Sequence, residues 1–495
     1  MGPLHRRRFL LASIAALSAA ACGPPPSPPP PPGPGPGKGG DRPRRVIVVG
    51  AGLAGLVVAG DLVKKGVDVV VLEAQERPGG RILTVREPFK EGLYVEAGAR
   101  FVLGDPDLMA VIAESGAKIA PWRKRPKLAQ PVFIKGERKV LPPGEEPPSL
   151  YTFSAEEEKL GEEGRSERYL GAASKIDPLK EEWLSGKLTE YDRMSLSQYL
   201  RSLGASPGAI AAIHDMLSPA DGPDDVSALH VLREMASIHR ERTLEGGGRI
   251  EGGTDAVPRG LAAKLGERVI YGAVVKRIEQ DAAGVTAVIE RKGAVERVAG
   301  ERLVCAIPFT VLRGVEVAPA FSEAKRRAVE SSHMACVARV WAMADRRFWA
   351  EKGESGQVVT DLDIGDVRDE TALQDGTAGV LGVYASSKNA RALMALPEKE
   401  RLARVLAGME KAHPGMKERT VATASKFWDE DPFARGAYAW FAPGEMTGFG
   451  ATLSSPEGRV HFAGDHTSHR PGFMHGAVAS ARRVVREIEG AAAGK

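Results

Sequence analysis

An α/β fold is predicted by three observations: a glycine-rich turn joining two strand-like runs near residue 50, helical periodicity over residues 150–245, and recurring strand-like runs between residues 323 and 425. Together they imply a Rossmann-like parallel sheet, a helical insertion and a separate antiparallel sheet.

The chain has 495 residues, 43% hydrophobic and 27% charged, enough to bury a large core divided into two or three domains. Its formal charge of +4 comes from Arg6, Arg7, Arg8 and Lys38, the only charged groups in residues 1–40, and the remainder is balanced. No net basic field invites nucleic acid. Arg6-Arg7-Arg8-Phe9-Leu10 precedes the apolar run 9–21, which is too short for a permanent membrane span and suits a signal segment. Arg-Arg-x-Phe-Leu resembles a twin-arginine export signal, and Ala19-Ala20-Ala21-Cys22 resembles a bacterial lipoprotein cleavage site. A Pro/Gly tether fills residues 23–40. The expectation is an exported protein, periplasmic or membrane-anchored, touching a membrane only through a lipid at Cys22. Cys305, in an apolar run, is expected in the core, and the disulfide state of Cys305 and Cys336 stays open.

Val46–Val49 is an unbroken β-branched run, as in a parallel strand buried on both faces, and Gly50-x-Gly52-x-x-Gly55 follows directly. The first glycine allows the turn, the second lets backbone approach a pyrophosphate, and the third lets a helix from Leu53 to Lys65 pack on the strand. Gly66 ends the helix, a second strand runs Val67–Leu72, and Glu73 stands where a carboxylate accepts hydrogen bonds from a ribose. Strand, helix, strand and acid fall in register. Gly79-Gly80-Arg81 adds a second close backbone approach and a guanidinium able to pair with phosphate.

The pattern Gly50-Ala51-Gly52-Leu53-Ala54-Gly55 … Glu73-Ala74-x-x-Arg77-x-Gly79-Gly80-Arg81-x-x-Thr84 resembles the flavin-containing amine oxidase family, which includes monoamine, L-amino acid and polyamine oxidases. The resemblance implies that Gly50, Ala51, Gly52, Ala54, Gly55, Glu73, Ala74, Gly80 and Arg81 bind the ADP half of FAD. Residues 94–101 resemble the family's Glu-x-Gly-Ala segment beside the flavin ring, which places Gly98, Ala99 and Arg100 there. Several amino acid oxidases carry a carboxylate-binding arginine in this segment. Arg100 is the candidate, offset by about one residue from their pattern.

Residues 104–149 have little periodicity. Ser154 before Glu156, Glu157 and Glu158 reads as a helix N-cap, and Leu196, Tyr199, Leu200 and Leu203 recur at helical spacing. Residues 246–258 resemble the family's glycine-rich return, before a helix Arg259–Leu265. Val269–Asp281 and Val285–Val298 then alternate as antiparallel strands turning at Lys292-Gly293, and residues 302–308 form a buried strand. The family places Val275 against adenine through its backbone.

After a helix Ser322–Ser331, the runs Val337–Ala344, Val380–Tyr384 and Val421–Phe427 predict an antiparallel sheet on the substrate side. Alternation sets Arg339 on one face with Val337, Trp341 and Met343. By the resemblance, Arg339 occupies the position of a lysine that is water-bridged to the flavin, and Trp341 and Trp440 are expected at the substrate. Phe427-Trp428 … Gly436-Ala437-Tyr438 resembles the segment bringing an aromatic to the flavin face. Ala437 stands where covalent members have cysteine, so FAD is expected to be non-covalent. In the last motif Gly464, Asp465, Met474 and Ala477 are implied cofactor contacts, at a helix start that favours negative charge. Tyr438 and Phe473 are the expected aromatic pair.

The expected organisation is an FAD-binding domain of residues 41–103, 246–322 and 426–495, and a substrate domain of 104–245 and 323–425 with a helical insertion at 150–245. The expected chemistry is oxidation of an amine or L-amino acid to the imine by hydride transfer, with O2 reduced to H2O2. Alternatives are a dehydrogenase or desaturase with another acceptor and, remotely, a non-catalytic binding protein. No metal is expected, and oligomeric state stays open.

Overall fold

The computed structural model describes residues 44–121, 127–178, 186–241, 244–468 and 470–492. Cys22, the export signal and the tether lie outside the described residues. The β-branched run forms the strand Arg45–Val49, central in a five-stranded parallel sheet ordered Val460–Phe462, Arg302–Cys305, Arg45–Val49, Asp68–Leu72 and Val269–Ile270. Both faces are covered. Val46 and Val48 pack under the helix Leu53–Lys64 and the C-terminal helix Met474–Ala492, while Ile47 and Val49 join a core with Ile278, Ala287 and Ile289 of an antiparallel meander. Burial on two faces is why the strand carries no alternating polar residue.

That meander corrects one expectation. Val269–Asp281 is not a single strand: Val269–Ile270 closes the parallel sheet, and Gly272, with φ of +67°, turns the chain into Val274–Gln280. Val274–Gln280, Val285–Arg291 and Ala294–Gly300 then pair antiparallel, the second turn falling at Lys292-Gly293 with φ of +49° and +77°. Left-handed conformations at both turn residues match the twist of a tight hairpin.

Residues 104–149 hold more than their pattern announced. Pro106–Ser115 is a helix packed on the helices Ala256–Leu265 and Met474–Ala492, and Asp105 caps it by accepting from Leu108 N–H. Asp followed by Pro is a start signal that was present in the sequence. Gln130–Ile134 and Glu137–Leu141 form a hairpin.

The insertion is helical, including Ala155–Leu170, Leu196–Ser202, Pro207–Leu217 and Ala228–Glu241. Ser154 with Glu157, and Ser195 with Gln198, form reciprocal capping boxes. The second main sheet is antiparallel, ordered Asp366–Asp369, Gly379–Ser386, Val337–Ala344 and Thr420–Phe427. Val337–Ala344 is an interior strand whose residues are all buried. Cys305 and Cys336 are buried free thiols. Among the described residues no helix is long and apolar enough to cross a membrane.

Candidate active site

The carboxyl ends of the parallel strands open onto a cavity of about 780 Å³, which runs to the antiparallel sheet. Val49, Leu72 and Asp465 line it from this edge, where ligands of open α/β sheets bind. Glu73 is buried at the strand end, and burial raises its carboxyl pKa against the pull of the N–H groups of Gln75 and Ala51, which donate to it at 2.9 and 2.7 Å. A carboxylate offers about four acceptor sites, so two remain.

The glycines of the first motif divide by what surrounds them. A Cβ on Gly55 would stand 2.0 Å from the Gly50 carbonyl, so Gly55 serves helix–strand packing, whereas a Cβ on Gly52 meets no protein atom within 4 Å and points to open space at the cavity wall. Gly55 and Ala51 do not line the cavity. Both were expected to bind cofactor, and the structure sets them behind the lining as braces. Gly50, Gly52, Ala54, Ala74 and Gly80 do line it. Arg77 shapes the next loop by donating to the carbonyls of Gly80, Pro78 and Ile82.

Farther in, Arg81 pairs with Asp465 and donates to the Ala437 carbonyl at 2.7 Å, and the Gly472 N–H donates to Asp465 at 2.9 Å. Burial opposes the Asp465 charge, but Arg81, His466 and the Gly472 N–H outweigh it and hold the carboxyl below its usual range. Gly98, whose Cβ would stand 1.7 Å from the Arg81 carbonyl, lets this strip lie flat, and Trp428 is fixed by donating to the Ala97 carbonyl at 2.9 Å. Ala99, Val275, Trp428, Met474 and Ala477 all face the cavity.

The inner end is a cluster set by strand register. Arg339, Tyr384 and Asp366 are cross-strand partners in one row, and Trp341, Gly382 and Arg368 in the next row on the same face. Glu370 fills the space above Gly382, where a Cβ would stand 2.7 Å from its Cγ. There it accepts a hydrogen bond from Arg339 at 2.9 Å and forms an ion pair with Arg100 at 3.0 Å. The Arg100 pKa is lowered to about 10, chiefly by burial and also by repulsion from Arg249, Arg339 and Arg368, against the opposing pull of Glu370. Tyr384 and Tyr438 share a 3.0 Å hydroxyl hydrogen bond, and the Tyr438 pKa is pushed well up by burial and by Tyr384. Phe473 lines the cavity and stacks on His475 at 5.2 Å.

A family model of flavin-containing amine oxidoreductases matches residues 53–489. The chain belongs to that family. Among its relatives, an L-amino-acid oxidase of Vipera ammodytes ammodytes is 29% identical, covering 90% of this chain and 93% of its own. A flavin-containing amine oxidase of Oncorhynchus mykiss is 28% identical over 90% of this chain and 85% of its own. In structure, putrescine oxidase bound to putrescine superposes with a TM-score of 0.78 at 26% identity, covering 90% of this chain and 98% of that one. A flavin-dependent amine or amino acid oxidoreductase is thereby identified. The family brings a flavin cofactor, and this site fits a flavin dinucleotide: Gly52 leaves open wall where phosphate needs bare backbone, Glu73 keeps free lone pairs, and a long helix starts at Met474.

Two of the substrate-side residues expected in this amine oxidoreductase are not at the cavity. Trp341 has no exposed surface and packs into a core with Val337, Met343 and Trp428. Trp440 stacks on His333 at 4.4 Å, paired to it across a two-stranded ribbon. Three residues at the inner end went unread. Tyr384 lay at the end of a predicted strand, whereas Arg368 and Glu370 lay in a charged stretch whose only signal was the neighbouring strand register.

Proposed function

We propose that the cavity holds FAD without a covalent link and that the chain oxidises the amine-bearing carbon of a small amine or L-amino acid, with dioxygen as the acceptor. What carries this reading is one continuous cavity joining the glycine-lined wall at Gly52 to the chamber of Arg339, Tyr384 and Tyr438. When bound, the flavin supplies the two-electron acceptor. The substrate carbon gives up a hydride and its nitrogen a proton, the imine is hydrolysed by water, and dioxygen takes two electrons and two protons to become hydrogen peroxide. Tyr438 and Phe473 flank the substrate as flat walls, and the buried surroundings favour the neutral amine, which holds the lone pair that drives hydride loss. Residues 41–103, 246–322 and 426–495 form the cofactor side of this reading. Export through the amino-terminal signal, with a lipid at Cys22, completes it.

A peroxide-coupled screen of the yellow protein against amino acids, monoamines and polyamines tests the proposal. Substrate that bleaches the flavin under argon yet yields no peroxide in air would move the chain to the dehydrogenase reading. One feature favours that second reading: Arg339, fixed by Glu370 at 2.9 Å, occupies the position where the family resemblance implies a water-bridged lysine, and a guanidinium does not give up its proton in a protein. Arg339→Lys is expected to speed reoxidation by dioxygen in stopped flow, and an unchanged or slower rate rejects that role for Arg339.

A further inference from the structure

We propose that Arg368 is the specificity-determining cation of this site, receiving the carboxylate of an amino acid substrate; the inference rests on the amine-oxidising reading above. Arg100 is the alternative, and its geometry argues against it. Its guanidinium is held at 3.0 Å by Glu370, which also holds Arg339 at 2.9 Å and whose side chain is only 3% exposed. Turning Arg100 toward a substrate would leave a buried carboxylate short of a partner.

Arg368 stands on the edge strand Asp366–Asp369 and lines the same cavity. Its side chain is 36% exposed, and it pairs with Asp366, which is 62% exposed. An exposed pair of this kind contributes little and exchanges readily for another carboxylate. The register aims it: Asp366 lies opposite Tyr384 and Arg368 opposite Gly382, and the guanidinium carbon sits 6.0 Å from the Tyr384 ring, whose hydroxyl bonds Tyr438. A planar guanidinium there can grip a carboxylate with two parallel hydrogen bonds while the amine end stays in the aromatic chamber. An anion entering there also offsets the repulsion that Arg100 feels from Arg249, Arg339 and Arg368.

The test uses the FAD-loaded protein, L-phenylalanine with its decarboxylated counterpart 2-phenylethylamine, and benzoate titrated against the visible flavin spectrum. Arg368→Gln is expected to lower the ratio of kcat/KM for the amino acid over the amine at least tenfold, mainly through KM, and to raise the benzoate Kd at least tenfold. Arg368→Lys, which keeps the charge but not the fork, recovers part of the benzoate affinity. Both quantities within twofold of wild type in Arg368→Gln overturn the proposal, as does Arg100→Gln abolishing the preference while Arg368→Gln keeps it. If wild type oxidises neither compound, the reading of the substrate fails instead, and the benzoate titration still decides on Arg368.

Discussion

Gly52 and Gly55 belong to one motif, yet their surroundings predict opposite failures. Alanine at Gly55 drives a methyl to 2.0 Å of a backbone carbonyl, so Gly55→Ala is expected to lose soluble folded protein. Gly52, at φ of −69°, tolerates alanine sterically, and its methyl projects only into the cavity. Gly52→Ala is expected to fold with a wild-type far-ultraviolet spectrum and to purify colourless; a fully yellow Gly52→Ala removes Gly52 from the cofactor wall. Glu96 supplies the pH-dependent counterpart. Burial raises its carboxyl pKa to about 7 despite donors at Thr254 N–H and Thr84 hydroxyl. The folded state therefore keeps a proton that the unfolded state has released, and this contribution is present below the ordinary carboxylate range and lost as pH rises through about 7. Urea denaturation at pH 5 and pH 8 should show wild type losing up to about 3 kcal/mol relative to Glu96→Gln, and a pH-independent difference would falsify the assignment.

At the scale of elements, legibility followed how local the cause was. The strand Arg45–Val49 and its glycine turn were readable because burial on two faces and bare backbone leave β-branched and glycine signatures in consecutive residues. The helix caps at Ser154 and Ser195 were local too, and only the first was read, as an N-cap without the reciprocal Glu157 bond. By contrast, the break at Gly272 depends on a neighbouring parallel strand, and Glu370 reaches Arg339 and Arg100 only because the fold brings it over Gly382. No spacing along the chain encodes such a meeting. Gly382→Ala tests the inner cluster: a methyl 2.7 Å from Glu370 Cγ and 2.8 Å from Trp341 Cδ1 cannot be housed without displacing one of them. A stability loss of about 1–3 kcal/mol is expected from overpacking, with impaired turnover as Glu370 shifts from Arg339. Unimpaired turnover with the stability loss would show that Glu370 placement is not needed for chemistry.

Across the whole molecule, the cavity is walled by segments far apart in sequence: the turn at Gly50, the strip Ala97–Arg100, the strand at Val275, Arg339, Trp428 and the helix start at Met474. None of these closes the site alone, so a dinucleotide seated there ties together elements whose contacts are otherwise made across the cavity edge. Binding to the folded chain and not to the unfolded one stabilises it by RT ln(1 + [L]/Kd), about 2.7 kcal/mol when free cofactor exceeds Kd a hundredfold. The proposed absence of a covalent link, which rests on the resemblance that puts Ala437 where covalent members carry cysteine, makes this stabilisation observable: Tm should rise with added FAD and fall after acid stripping, and readdition should restore both colour and Tm. Flavin fluorescence that remains on the denatured polypeptide, with a Tm indifferent to added FAD, would mean a covalent bond through some other residue, and the non-covalent cradle drawn from Ala437 would be wrong.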